Sequence, residues 1–233
     1  MLLLLGPTDA GKSTLAQRLL ERAGEAFLLD LDPGQGNLPG AFSLFHYQKG
    51  RLALVRRTLL GALSPMGVEA KALVAALRLA RLIPPGSPAV ADTDGLLDPA
   101  YRLLQVDALA PVEILVLGAE GLFRALAWRK DLKARLLPPL PGARRKTPRE
   151  RRENRLRRLL AHFQEARPRV LPLEGSPRPE RLYALLDPEG FLLGYGRLLA
   201  YGAGEGLFLT PVEGEVARLE ATRLALPTPA LPG

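Results

Sequence analysis

The segment Gly6-Pro7-Thr8-Asp9-Ala10-Gly11-Lys12-Ser13-Thr14 sets two glycines five positions apart and follows them with an amine and a hydroxyl, in the spacing G-x-x-x-x-G-K-S. Glycine at both ends frees the backbone to turn successive N–H groups inward on phosphate oxygens. Lys12 can then reach the β and γ phosphates, and the Ser13 hydroxyl can bind Mg²⁺. The chemistry implied is the holding of a nucleoside triphosphate, with ATP and Mg²⁺ as the expected ligands. Carboxylates follow. Asp30 and Asp32 stand two apart in Leu29-Asp30-Leu31-Asp32-Pro33-Gly34-Gln35-Gly36, where at most one is expected to face the nucleotide and either could instead hold the turn at Gly34. Asp92, just before Thr93-Asp94-Gly95, is a candidate contact to Mg²⁺ through water. Phosphoryl transfer needs in-line placement and charge stabilisation more than covalent help, so a phosphate loop, a metal, one carboxylate base and mobile arginines would be enough.

The elements that must position these groups are legible in the apolar pattern. Leu2 to Leu5 is a short run suited to a buried parallel strand, and Ser13 to Ala23 has apolar residues at helical spacing. Ala26 to Asp30 reads as a second strand, followed by the glycine- and proline-rich loop Leu31 to Gly40. Ser43 to Tyr47 and Arg51 to Leu60 read as strands about a turn at Gln48-Lys49-Gly50, and Glu69 to Leu82 as a helix. A strand at Ala89 to Asp92, a helix at Tyr101 to Leu109 and a buried strand at Val112 to Leu117 complete an alternation that predicts an α/β fold, a parallel sheet flanked by helices. Ligands of such sheets lie at the carboxyl ends of strands, where Gly6, Asp32 and Thr93 fall.

Beyond Pro172 the helical alternation stops. Arg181 to Asp187, Phe191 to Tyr201 and Gly206 to Thr210 read as strands, with a turn at Pro188-Glu189-Gly190, while Ala217 to Leu226 fits a helix or a strand and the tail Thr228 to Gly233 should be loose. The expected division is a P-loop domain over residues 1–172 and a small β-rich domain over 173–233.

Positive charge is concentrated. The net charge is +8, and residues 144–158 contain nine basic side chains against Glu150 and Glu153, a local excess of +7. Such a cluster suits a polyanion: nucleotide phosphates, a nucleic-acid backbone, or both. Thr147-Pro148-Arg149-Glu150 has the form of a helix start. On that helix Leu156, Leu159, Leu160 and Phe163 form an apolar stripe, with Arg151, Arg155 and Arg158 beside it. A solvated surface helix can also carry such a run of charge.

Composition excludes several classes. A chain of 233 residues with 47% apolar content is not mainly disordered, and zero Cys rules out disulfides and thiolate zinc sites. His46 and His162 are too isolated for a histidine metal centre and read as surface or packing residues. The opening Met-Leu-Leu-Leu-Leu has no basic residue and runs into the phosphate loop, and no apolar stretch approaches about 18 residues, so neither a removable signal nor a membrane partner is expected and the location expected is cytoplasmic. The only asparagines, Asn37 and Asn154, exclude an N-K-x-D guanine-reading motif.

Five segments in order, GPTDAGKST, LDPGQGNLPG, ADTDGL, RKTPRERRENRL and GLFLTPVEGEV, together closely resemble the Clp1/Grc3 group of polynucleotide 5′-hydroxyl kinases. The resemblance implies transfer of the γ-phosphate of ATP to the 5′-hydroxyl of RNA or DNA, with some members acting in RNA processing. It implies that Asp32 accepts the proton of the attacking hydroxyl, that Gln35 lies beside the same substrate end, and that Lys12 and Ser13 serve phosphate and Mg²⁺. It further implies that Arg151 and Arg155, with Lys146 where relatives usually have arginine, belong to a lid at about residues 140–165 that closes over ATP, and that Ser64 lies near a loop clasping the substrate phosphate. Thr93 and Gly95 fall in the turn that meets the acceptor nucleotide. An ATP-holding RNA-processing scaffold without turnover and a small-substrate kinase are the competing expectations.

Three departures from the resemblance carry consequences. Leu96 stands where relatives commonly have a tryptophan that packs on the substrate base, and apolar contact without stacking forgoes about 1–3 kcal/mol per base. Gly121 stands where relatives often have an arginine. Eukaryotic members carry a domain ahead of the phosphate loop, whereas the first strand here starts at residue 2, so docking through such a domain is not expected.

Overall fold

The computed structural model describes residues 1–226, so the expectation for the tail at 228–233 lies outside the described residues. Its first sheet contains β1 (Leu2–Leu5), β2 (Glu25–Leu31), β3 (Ala41–Gln48), β4 (Arg51–Leu59), β5 (Ala89–Thr93), β6 (Glu113–Leu117) and β7 (Ala134–Leu137), in the order β4-β3-β2-β5-β1-β6-β7. The five strands from β2 to β7 in that order run parallel, and the hairpin β3–β4 joins antiparallel to β2. Leu3, Leu4 and Leu5 have no exposed surface, because β1 lies at the centre with helices on both faces. Each buried leucine there contributes roughly 1.5–3 kcal/mol of transfer free energy.

Parallel strands end on one edge, and that edge assembles the site. Gly6 follows β1, Asp32 follows β2, and Thr93 ends β5. Register makes this specific: Asp30 is opposite Asp92 and Leu31 is opposite Thr93. Helix α1 (Lys12–Ala23) starts directly from the phosphate loop, α2 (Glu69–Ala80) and α3 (Pro99–Leu109) cover the sheet, and α4 (Glu120–Ala127) precedes β7. Asp98 caps α3 by accepting from the Tyr101 amide at 2.7 Å, with Pro99 at its first position.

The second sheet contains β8 (Arg167–Pro172), β9 (Leu182–Leu186), β10 (Leu192–Gly202), β11 (Glu205–Thr210) and β12 (Arg218–Ala221), all antiparallel, in the order β12-β9-β10-β11-β8. This sheet begins at Arg167, inside the stretch assigned by sequence to the P-loop domain. Pro168 and Pro172 conceal the strand, and they are tolerated because β8 is an edge. The segment Ala217 to Leu226, which by sequence fits a helix or a strand, contributes only the short strand β12.

Helix α5 (Pro148–His162) joins the two sheets. Its start is the capping box expected from the sequence: the Glu150 amide donates to Thr147 Oγ1 at 3.1 Å, and the Thr147 amide donates to Glu150 Oε2 at 2.7 Å. Leu159 and Phe163 are buried with Leu38, Leu59, Leu182, Leu186 and Tyr195, so the apolar stripe packs on the second sheet and on the loop after β2. Leu156 and Leu160 are half-buried at its margin. His162 and His46 are both packing residues. His162 Nε2 accepts from the Tyr195 amide at 2.9 Å and burial pulls its pKa down to about 4, while His46 lies against Phe27 with ring centroids 4.9 Å apart.

Candidate active site

The phosphate loop has the backbone that its glycines predict. Gly6 has φ 144° and Gly11 φ 92°, and a Cβ at Gly6 would overlap the Leu117 carbonyl. Asp9 also has a positive φ, 66°. Ala10 is buried under the loop, with its carbonyl accepting from the Leu140 amide at 3.1 Å. Lys12 is buried, and its Nζ donates to the carbonyls of Gly6 at 2.9 Å and Pro7 at 2.8 Å. Burial pulls its pKa below the usual lysine value, opposed by the carboxylates of Asp92 and Asp32.

Three clefts meet at this loop. The first, about 310 Å³, is lined by Thr8, Asp9, Gly11, Lys12, Ser13 and Thr14 on one side, and by Asp32, Gln35, Thr93, Arg144 and Lys146 on the other. The second, about 260 Å³, is lined by Thr8, Asp32, Gln35, Ser64, Gly95, Leu96, Arg151 and Arg155. The third, about 620 Å³, runs along α1 past Ser13, Asp30, Asp32 and Asp92 to Arg57 and Arg158. Asp32 and Gln35 border all three.

Asp32 is held by its own turn. Its Oδ1 accepts the amides of Gly34 at 2.9 Å and Gln35 at 2.8 Å, which leaves Oδ2 free of these bonds. Burial raises its pKa, with the two amides acting against the rise. Asp30 behaves differently from the expectation that only one of the pair would face the site: residues two apart on a strand share a face, and both carboxylates line the large cleft. Burial, then Asp92 and Asp32, push Asp30 up to about 7, and burial pushes Asp92 up to about 6. Asp30 is committed to the loop, accepting from the amides of Asp32 at 3.2 Å and Asn37 at 2.9 Å.

Asp92 Oδ1 is buried without a hydrogen-bond partner, and the Ser13 hydroxyl acts to lower that carboxylate's pKa against the rise from burial. An unpartnered buried oxygen beside a phosphate-loop hydroxyl fits a hard dication. Among the described residues no group of three His, Cys, Asp or Glu side chains could hold a metal alone.

Thr93 lines the first cleft, where its hydroxyl donates to the Leu4 carbonyl at 2.7 Å and keeps only its acceptor side for a ligand. Gly95 has a steric reason: a Cβ there would collide with the Thr8 backbone and hydroxyl, so the turn packs directly on the phosphate loop. Arg102, which the sequence reading passed over, holds that turn. It has no exposed surface, pairs with the Asp94 carboxylate, and donates to the carbonyl of Leu96 at 2.9 Å and to Gln105 at 2.6 Å. The available signal was an arginine on the inward face of an otherwise apolar helix.

The arginine segment divides. Arg144 and Lys146 border the phosphate cleft, whereas Arg151 and Arg155 border the second cleft. Arg151 donates to Asp9 Oδ2 at 2.7 Å, and the Lys146 amide donates to the same oxygen at 2.8 Å. Burial would raise the Asp9 pKa, but these donors outweigh it and hold the carboxyl below its usual value. Gln35 Nε2 donates to the Arg151 carbonyl at 3.3 Å, and Arg158 donates to the carbonyls of Gln35 and Gly36. Gly121 is exposed on α4 and borders none of the three clefts.

Among the described residues no helix is long and apolar enough to cross a membrane. The family described as mRNA cleavage and polyadenylation factor CLP1 P-loop matches residues 6–165. A structure of wild-type Clp1p in complex with Pcf11p has a TM-score of 0.76 at 14% identity, over 97% of this chain and 74% of that one. A second structure, concerning the extended Pcf11p–Clp1p interface and ATP loss in a glycine-to-arginine point mutant, has a TM-score of 0.75 at 14% identity with the same coverage. At such identity these likenesses establish the fold alone. No curated protein matches the chain by sequence. With the phosphate loop, the Asp32 turn and α5 all inside the matched span, the chain belongs to the CLP1 P-loop family of nucleotide-binding proteins.

Proposed function

We propose that the protein is a Mg²⁺-dependent polynucleotide 5′-hydroxyl kinase that transfers the γ-phosphate of ATP to the 5′-hydroxyl end of RNA or DNA. One observation carries the reading: Asp32 is a shared wall between the phosphate cleft and the cleft of Ser64, Gly95 and Leu96, with one carboxylate oxygen fixed by two amides. A proton acceptor must sit between donor and acceptor, and its orientation must be fixed in advance.

In this reading the amides of residues 8–14 and Lys12 hold the triphosphate, and Lys12 exchanges its two carbonyl bonds for phosphate oxygens. Ser13, with Asp92 through water, would hold Mg²⁺, which would supply charge neutralisation on the phosphate oxygens. The acceptor 5′-hydroxyl enters from the second cleft, beside Gln35, Ser64 and Gly95. Its oxygen bonds to the γ-phosphorus as the bond to the β,γ-bridging oxygen breaks, its proton passes to Asp32, and ADP departs. Burial raises the Asp32 pKa, which strengthens it as a base. Arg151, Arg155 and Lys146 stabilise the charge on the transferring group.

A nucleotide-holding scaffold of RNA processing is the second reading, favoured by the Clp1p neighbours being complexes with a protein partner. The experiment that separates the two is transfer of labelled γ-phosphate to matched 5′-hydroxyl RNA and DNA oligonucleotides with each of the four triphosphates. Transfer to an oligonucleotide supports the kinase. Nucleotide binding without transfer to any acceptor supports the scaffold and defeats the kinase.

A further inference from the structure

A fourth cleft, about 410 Å³, opens from the proposed acceptor site. It shares Leu63 and Arg155 with that site and continues between α5 and the segment after β12, past Arg152, Leu156, Arg223 and Leu224. Three guanidinium groups therefore border one groove with an apolar floor. Three neighbouring arginines are neutralised: Arg144 pairs with Glu150, Arg149 with Glu153, and Arg151 with Asp9. Among the described residues, the side chains of Arg152, Arg155 and Arg223 form no ion pair or hydrogen bond. Like charges brought together from distant parts of the chain repel one another unless an anion lies between them. Arg152 and Arg223 are exposed, and the packing of Leu159 with Leu224 in one core cluster holds their backbones close while the two charges stay unpaired.

Resting on the kinase reading above, we propose that this groove is a second nucleotide subsite, which binds the phosphate and base on the 3′ side of the acceptor nucleotide. A strand with its 5′-hydroxyl at Asp32 leaves the acceptor cleft where Leu63 and Arg155 open into the groove. Arg152 and Arg223 then meet the first internucleotide phosphates, and the half-buried Leu156 and Leu226 offer apolar surface to the following base. A positive track with an apolar floor is how sequence-tolerant sites hold single strands. The subsite also gives a physical reason why the acceptor base can rest on Leu96 without a stacking ring: the second nucleotide adds contacts that the first lacks. It makes the protein selective for chains over mononucleotides.

The test compares acceptors of increasing length. Wild-type protein is expected to gain about 10-fold or more in kcat/KM from a nucleoside, which lacks any 3′-phosphate, to a 5′-hydroxyl tetranucleotide, the size expected for one or two charge-assisted contacts. In the double variant Arg152→Ala/Arg223→Ala that gain should fall below about 3-fold while the nucleoside value holds, and each lost phosphate contact should lower the salt slope of binding by about 0.7. A length gain that survives in the variant, or an equal loss on both acceptors, overturns the subsite. If no acceptor is phosphorylated at all, the kinase reading alone has failed. Fluorescence anisotropy with a labelled tetranucleotide then decides the subsite: weaker binding in the double variant sustains it, and unchanged binding removes it. Circular dichroism and the single variants Arg152→Gln and Arg223→Gln guard against misfolding, since each alone should give a partial loss of the length gain.

Discussion

The phosphate loop and helix α5 direct positive charge at adjoining clefts, but they are built in opposite ways. The loop is local: nine consecutive residues, two glycines with positive φ and a lysine folded onto the carbonyls of Gly6 and Pro7 determine its shape. The helix is defined by distant partners. Arg151 reaches Asp9 across 142 positions, Arg158 reaches the loop after β2, and Leu159 and Phe163 are buried against the second sheet. A local device can be rigid alone, whereas the arginines of α5 are placed only when both sheets are assembled. One face of α5 is therefore part of the core, so any closing movement over a nucleotide is confined to what the packed stripe permits, chiefly the segment 141–147 ahead of it.

The loop side of this comparison depends on a buttress. Arg102 fixes the turn whose Gly95 lies against Thr8, and its pairing with Asp94 is wholly buried. Arg102→Leu should cost about 3–5 kcal/mol in denaturant unfolding, because it leaves Asp94 uncompensated. An unchanged midpoint would mean that the turn supports itself. The smaller effect concerns the single ion pair joining the two regions. In a double-mutant cycle on phosphate-transfer rates, Asp9→Ala and Arg151→Ala should be coupled by about 0.5–3 kcal/mol, with the second substitution nearly silent once the first is made. Strict additivity would show that the loop and the helix act independently.

The same contrast explains what could be read from sequence. The G-x-x-x-x-G-K-S spacing, the Thr147–Glu150 capping box and the apolar strands are short-range patterns, and the structure reproduces them. The α/β class and the CLP1 family were legible for the same reason. Long-range features were not. Arg144 could not be told from Arg155 as the nearer neighbour of the phosphate cleft until the helix was docked, and the arginine on the inward face of α3 did not say which carboxylate it would meet, although Asp94 is only eight positions away. Strand β8 was hidden by its two prolines, whose tolerance depends on being at a sheet edge. Asp30 and Asp32 were separated by a misapplied strand period, although residues two apart point the same way.

The central claim is that Asp32 sits between a bound triphosphate and an acceptor hydroxyl and takes the proton. The most direct measurement is Asp32→Asn assayed for both phosphate transfer to a 5′-hydroxyl oligonucleotide and ATP binding. The substitution preserves shape and the oxygen that accepts the Gly34 and Gln35 amides, but removes the charge. The account predicts transfer lowered by about 100-fold or more, the scale of a lost general base, with ATP affinity within about 3-fold of wild type. Undiminished transfer, or transfer lost only in proportion to ATP affinity, would contradict it.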